Sequence, residues 1–192
     1  MSHNFSIKRW VRACFLGWLL GVILVLLLSS FLDFMGIENL QFYLGTGMGA
    51  GIGFAQWHQL RKYLKVNTYW ILASIFGMTL PFLIVDQLSF GTYEQKLPVC
   101  IALGGLVVGL LQYLLLKPNL KGSQLWIAGS VISWILGSSM VFLVNYTKQL
   151  NHDLFNNLIL ALINLILILS GGVVIGLVSG AITKRLLLKN LN

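Results

Sequence analysis

The sequence predicts an all-α polytopic membrane protein, with six transmembrane helices arranged as three parallel two-helix repeats in a pseudo-threefold bundle. Three observations predict it. The 192 residues are 57% apolar and only 9% charged, with a mean hydropathy of +0.85, whereas soluble domains carry about 25% charged residues. Six apolar stretches are each long enough for a hydrocarbon core, which takes about 20 helical residues to cross. One pattern of tryptophan and glycine also recurs three times, making a single integral membrane domain with repeats at about 9–62, 69–118 and 125–188.

The spans read as 11–32, 40–60, 69–88, 97–117, 124–145 and 157–184. Lys8, Arg9 and Arg12 precede the first. Its apolar part, Cys14 to Phe31, is too long for a signal-peptide core and has no A-x-A site after it, so it reads as a retained span. The second carries Gly45, Gly47, Gly49, Gly51 and Gly53 just before Gln56 and Trp57. Residues four apart share a helix face, so Gly45, Gly49 and Gly53 form one stripe, with Gly47 and Gly51 nearly opposite. Helices in lipid associate by close packing at small residues, which predicts that this span lies between two neighbours.

Pro81 sits mid-way along the third span, at the position matched by Gly21 and Gly137 in the first and fifth. Proline and glycine there predict a common bend. Pro98 falls in the first turn of the fourth span and Pro118 just past its end, both ordinary helix punctuation. The last apolar run, 154–188, is too long to cross once without tilting. It predicts either an extended helix outside the membrane or a break at Ser170-Gly171-Gly172.

The repeat is legible without gaps. RWVRACFLGWLLG (9–21), YWILASIFGMTLP (69–81) and LWIAGSVISWILG (125–137) align Trp10, Trp70 and Trp126. A second block follows each, with a G-x-x-x-G core at Gly49/Gly53, Gly105/Gly109 and Gly172/Gly176. Three residues on come Gln56, Gln112 and Ser179, and five further come Arg61, Lys117 and Lys184. A unit of two spans keeps every copy in one orientation, so the copies relate by an axis along the membrane normal.

Charge gives the topology. Eleven of the thirteen basic residues fall at the two termini and in the second and fourth loops, while all five acids fall on the other side. By the positive-inside rule both termini face the cytoplasm, in a bacterial inner membrane or a thylakoid. The net charge of +8 is then topogenic and needs no nucleic acid. Trp10, Trp57, Trp70 and Trp126 lie near the cytoplasmic boundary, and Tyr43, Phe90, Tyr93 and Tyr146 near the other, predicting aromatic belts. Cys14 and Cys100 lie near opposite faces, too far apart for a disulfide.

Chemistry is sparse. No Asp, Glu, Lys or Arg lies deep in a span, which argues against an ion pump or proton-coupled carrier. His3, His58 and His152 sit in a terminus, at an edge and in a loop, so no buried haem ligands are present. His152-Asp153 is a pair in sequence only. Neither G-x-S-x-G nor H-E-x-x-H occurs, G-x-G-x-x-G is never completed, and the short loops leave little protein to build a catalytic site. No cofactor, metal or catalytic residue is expected. The remaining polar groups, Gln56, Gln112, Ser179 and Asn164 with Thr46, Ser74, Ser130 and Asn145, read mainly as interhelical hydrogen-bond partners. Their alternative role is a neutral solute site.

The Gly-x-x-x-Gly-x-x-Gln-Trp-x-x-Leu-Arg block, at Gly49, Gly53, Gln56, Trp57, Leu60 and Arg61, resembles small multipass bacterial membrane proteins, often cyanobacterial. The second copy keeps Gln112 with Tyr113 for tryptophan, and the third departs further, with Ser179 and Gly180. The resemblance implies the multipass fold and transfers no catalytic residue. Size and topology are also similar to substrate-binding components of vitamin-uptake transporters. The expected function is therefore a non-enzymatic membrane module that binds membrane lipid, a protein partner or a second copy of itself. A small-solute carrier or its binding component is the alternative, and an intramembrane enzyme the third.

Overall fold

The computed structural model describes residues 5–37, 40–88, 93–144 and 154–190, with the backbone alone at 93–95 and 154–157. Six α-helices account for most of them: α1 (Ile7–Phe34), α2 (Phe42–Leu60), α3 (Tyr69–Leu88), α4 (Tyr93–Leu116), α5 (Leu125–Phe142) and α6 (Leu154–Lys189). No strand occurs among the described residues. Five of these helices are long and apolar enough to cross a membrane. The exception is α2, whose five glycines, with Gln56, His58 and Gln59, dilute its hydropathy.

Local sequence sets several ends. Ser6 caps α1 by accepting the Arg9 N–H. At its other end Gly36 takes a φ of 71°, and the Gly36 and Ile37 N–H groups close on the Asp33 and Leu32 carbonyls. This is the glycine-dependent C-terminal motif that satisfies otherwise orphaned carbonyls. The carboxylate of Asp86, near the end of α3, accepts the Gln41 and Phe42 N–H groups at 2.7 and 3.1 Å. It thereby neutralises the N-terminus of α2. The helix bounds correct one expectation and exclude one of two alternatives for the last run. Pro98 falls in the second turn of α4, because that helix starts at Tyr93. And α6 runs unbroken through Ser170-Gly171-Gly172 for 36 residues, about 54 Å at 1.5 Å per residue.

The helices form a closed ring. Each packs mainly on its neighbours in the chain, and α6 closes the ring against α1. α2 is held on both sides at backbone distance. A Cβ on Gly47 would lie 2.7 Å from a Val25 methyl, and one on Gly51 would strike the Gly17 carbonyl and the Gly21 backbone. On its other face, a Cβ on Gly45 would strike the Met78 carbonyl, and one on Gly49 would lie 2.5 Å from that of Ser74. One on Gly53 would lie 2.5 Å from Ser74 Cβ.

The later helices meet similarly. A Cβ on Gly105 would lie 3.1 Å from Val131 Cα and one on Gly109 3.0 Å from Ile127 Cα, so α4 meets α5 closely. A Cβ on Gly172 would lie 3.0 Å from Phe15 Cα and one on Gly176 2.7 Å from Val11 Cα, where α6 meets α1. The seat at Gly171 and Gly172 is occupied by Trp18, whose Cζ2 and Cβ would lie 2.6 and 2.5 Å from added Cβ atoms. Helix continuity there fits that role: the two glycines make room for an indole instead of breaking the chain. Just past the end of α6, Asn190 accepts the N–H of Lys121 in the α4–α5 connection at 2.8 Å and donates back to the Lys121 carbonyl.

Large aliphatic and aromatic side chains cover the outside, including Leu26, Phe76, Leu114 and Ile166, each at least 60% exposed. An apolar exterior of this extent marks a surface meant for a non-aqueous neighbour.

Candidate functional site

Trp10, Trp70 and Trp126 come from α1, α3 and α5, alternate helices that are not principal neighbours in the ring. Their indoles nevertheless meet. Trp10 and Trp126 lie 6.5 Å apart edge-to-face, and Trp70 and Trp126 lie 5.5 Å apart. Side chains from alternate members of a ring can meet only in its interior. The three are 1%, 0% and 2% exposed, so the expectation that they anchor in an interfacial belt is corrected. Their rings gain more by burial and by edge-to-face contact, worth about 0.5–1.5 kcal/mol a pair, than by facing headgroups. Phe5 covers Trp10 from the chain terminus, with centroids 5.6 Å apart.

Burying an indole demands a partner for its N–H. Trp126 donates to Gln112 Oε1 at 2.7 Å, and Trp10 donates to Ser179 Oγ at 2.9 Å. Gln112 is used at both ends, since its Nε2 donates to Ser74 Oγ at 2.9 Å, and the Ser74 hydroxyl in turn donates a hydrogen bond to the Trp70 carbonyl. Ser179 donates to the Ile175 carbonyl at 2.6 Å. Trp70 Nε1, by contrast, is buried with no partner, as is Trp57 Nε1. Two of the four polar residues singled out in the sequence, Gln112 and Ser179, are thus brought together around the tryptophans. Gln56 is buried on α2 at 5% exposure. Asn164 is half-buried on α6, fifteen residues and about 22 Å along the helix from Ser179. Thr46 bonds Thr79 across α2 and α3 at 2.9 Å. Ser130 is buried opposite Gly109. His3, Asn145, Tyr146 and His152-Asp153 lie outside the described residues. Among the described residues no three His, Cys, Asp or Glu side chains gather.

Two helical turns beyond the indole layer, the ring opens into a cavity of about 230 Å³. Every helix contributes to its wall: Val22, Met48, Phe82, Ile101, Ser138 and Ile168, in chain order. Trp18, Met78 and Trp134 line it on the side of the tryptophan layer. Each stands eight residues after Trp10, Trp70 or Trp126, about 12 Å along its helix. The lining is apolar apart from Ser138, and Trp18 Nε1 is satisfied by the Ile168 carbonyl at 2.8 Å. Sequence reasoning passed over these residues. Their signal was present, because Trp18, Met78 and Trp134 each stand eight residues after Trp10, Trp70 and Trp126, but an apolar residue in an apolar span does not declare which way it faces.

What the arrangement can do follows from its chemistry. It presents hydrocarbon, two methionine thioethers and aromatic rings to whatever enters, with the Ser138 hydroxyl and the indole N–H of Trp134 as its few polar groups and no charged side chain in the wall. It defines an all-helical ring of membrane-span character, with a hydrogen-bonded tryptophan layer in one half and an apolar chamber in the other. Compared with known proteins, the chain matches no family model, no curated protein and no solved structure.

Proposed function

We propose that this chain is a non-enzymatic, six-span membrane module whose chamber holds a segment of lipid hydrocarbon. The observation that carries this reading is the apolar cavity of about 230 Å³, lined by all six helices. A cavity of about 150 Å³ with aliphatic and aromatic walls already stays dry and takes up benzene. The chamber therefore suits a short run of an acyl or isoprenoid chain, with the rest of the lipid outside. The solute-carrier alternative loses its main support. The polar atoms of Gln112 and Ser179 are consumed by indoles, Ser74 and a backbone carbonyl.

The same proposal includes three two-helix repeats. Two cyclic regularities support it. Gly53, Gly109 and Gly176 each meet the outward helix of the next unit, at Ile71 and Ser74, Ile127 and Ser130, and Val11 and Cys14. These are matched positions. In addition, the leading tryptophan of the third unit bonds Gln112 of the second, and that of the first bonds Ser179 of the third. α2 crosses as the other helices do, because both its faces are enclosed by protein and it needs little apolar surface. Both termini then lie in the cytoplasm, on the side rich in Lys and Arg.

The test is purification in mild detergent from the native membrane, followed by extraction and mass spectrometry of retained lipid. Wild type should retain a lipid species through delipidating washes. Ser138→Phe, which places a ring in the chamber, should lose it at near-normal thermal stability. Equal retention by both proteins would refute the chamber as the lipid site.

A further inference from the structure

We infer a second, separate lipid site: a groove between α1 and α2 that takes an anionic phospholipid of the cytoplasmic leaflet. It rests on none of the chamber residues. The groove has a volume of about 520 Å³, and its lining changes character along its length. Arg9, Arg12 and His58 stand at one end, and Leu16, Leu20 and Phe54 at the other. Its bed is shallow in side chain, formed by small residues, among them Gly17, because α1 and α2 approach there at backbone distance.

The charge pattern selects the ligand. Arg9 and Arg12 are exposed, and among the described side chains no carboxylate is near to neutralise them. Asp33, on the same helix, lies twenty-one residues and about 31 Å from Arg12. Asp86 is engaged at the opposite end of α2, on the Gln41 and Phe42 N–H groups. The guanidinium of Arg61 lies 3.3 Å from His58 Nδ1. Arginine can only donate, so Nδ1 accepts and Nε2 carries the proton as a further donor. Two guanidiniums and an imidazole N–H suit a phosphodiester, which arginine binds through paired hydrogen bonds.

Length selects the rest. From Arg12 to Leu20 is eight residues, about 12 Å along the helix, the direction an acyl chain takes from its headgroup into the bilayer. Leu16, Leu20 and Phe54 are 53%, 37% and 46% exposed, so a chain lying there covers apolar surface that the protein leaves open. A soluble phosphate would use only the basic end. A phospholipid uses both.

Native mass spectrometry of the detergent-solubilised full chain, titrated with phosphatidylglycerol or phosphatidylcholine, tests the site. Wild type should hold one phosphatidylglycerol at least tenfold more tightly than phosphatidylcholine. Arg9→Gln/Arg12→Gln should abolish that preference. Lys117→Gln/Lys121→Gln, which removes as much positive charge from another part of the same side, should preserve it. Inorganic phosphate at millimolar concentration should displace little of the lipid. Unchanged preference in the arginine variant, equal loss in the lysine variant, or full displacement by inorganic phosphate would each overturn the proposal. Lipid retained in the chamber is read in the same arginine variant and should be unaffected, so failure of one site is distinguishable from failure of the other.

Discussion

Trp126 donates its indole N–H to Gln112 Oε1 at 2.7 Å, and both side chains are almost wholly buried, at 2% and 1% exposure. The amide also bridges onward to Ser74 on α3. One glutamine on α4 therefore fixes the rotation of two other helices about their own axes. Gln112→Leu should lower stability by about 1–3 kcal/mol, because it leaves a buried indole N–H without an acceptor. Adding Trp126→Phe removes the stranded donor, so the double variant should be less destabilised than the sum of the singles. Thermal unfolding in detergent across the four proteins measures this coupling, and strict additivity would sink the idea.

Trp70 is the counter-case. Its Nε1 is buried without a partner, so Trp70→Phe removes a desolvated donor and loses no hydrogen bond. Its cost should be smaller than that of Trp126→Phe by about 1 kcal/mol. Equal losses in the same melts would mean that the Trp70 N–H has an acceptor.

Glycine acts in two different ways, and substitution separates them. At Gly51 an added Cβ would strike the backbone of Gly17 and Gly21, so α1 and α2 would have to part. At Gly36 nothing lies within 4 Å, but φ is +71°. Gly36→Ala should cost about 1–2 kcal/mol, the penalty for a side chain in the left-handed region. Gly51→Ala, an overpacking change against backbone, should cost more, about 3 kcal/mol. Similar melting temperatures for the two variants would contradict a close helix approach at Gly51.

The helical class and the approximate place of each helix were legible from hydropathy alone. α3 was expected at 69–88 and occupies Tyr69–Leu88. The continuity of α6 was not legible, because a Ser-Gly-Gly run permits a break as readily as a seat for Trp18. The direction of the tryptophans was misread for a related reason. A tryptophan near a span end satisfies an interface and a core equally well until its N–H partner is known, and Gln112 and Ser179 lie 14 and 169 residues away in sequence. The chamber was least legible. Its lining is apolar like the outer surface, and nothing in composition separates an inward Phe82, 2% exposed, from an outward Phe76, 64% exposed.

Topology can be read directly, since the two native cysteines are buried at 0% exposure and should not compete for reagent. Cysteines introduced at Asn67 and Lys121 should be shielded from an impermeant thiol reagent in intact cells. A cysteine at Met35 should react. Labelling of Asn67→Cys and Met35→Cys alike from outside would contradict a crossing by α2.

The ring's closure by α6 on α1 has a consequence for biosynthesis. During insertion, α1 leaves the ribosome first and must wait through four further helices before Trp18 finds the Ile168 carbonyl and the Gly171-Gly172 seat. Until then both the tryptophan layer and the chamber lack a wall. The order of synthesis is nonetheless arbitrary with respect to the finished contacts, because no helix relies principally on one that is not beside it in the ring. A circular permutant that joins the original ends through a linker and starts at Tyr69 would keep every principal interface, and would move the last one to form from α6–α1 to α2–α3.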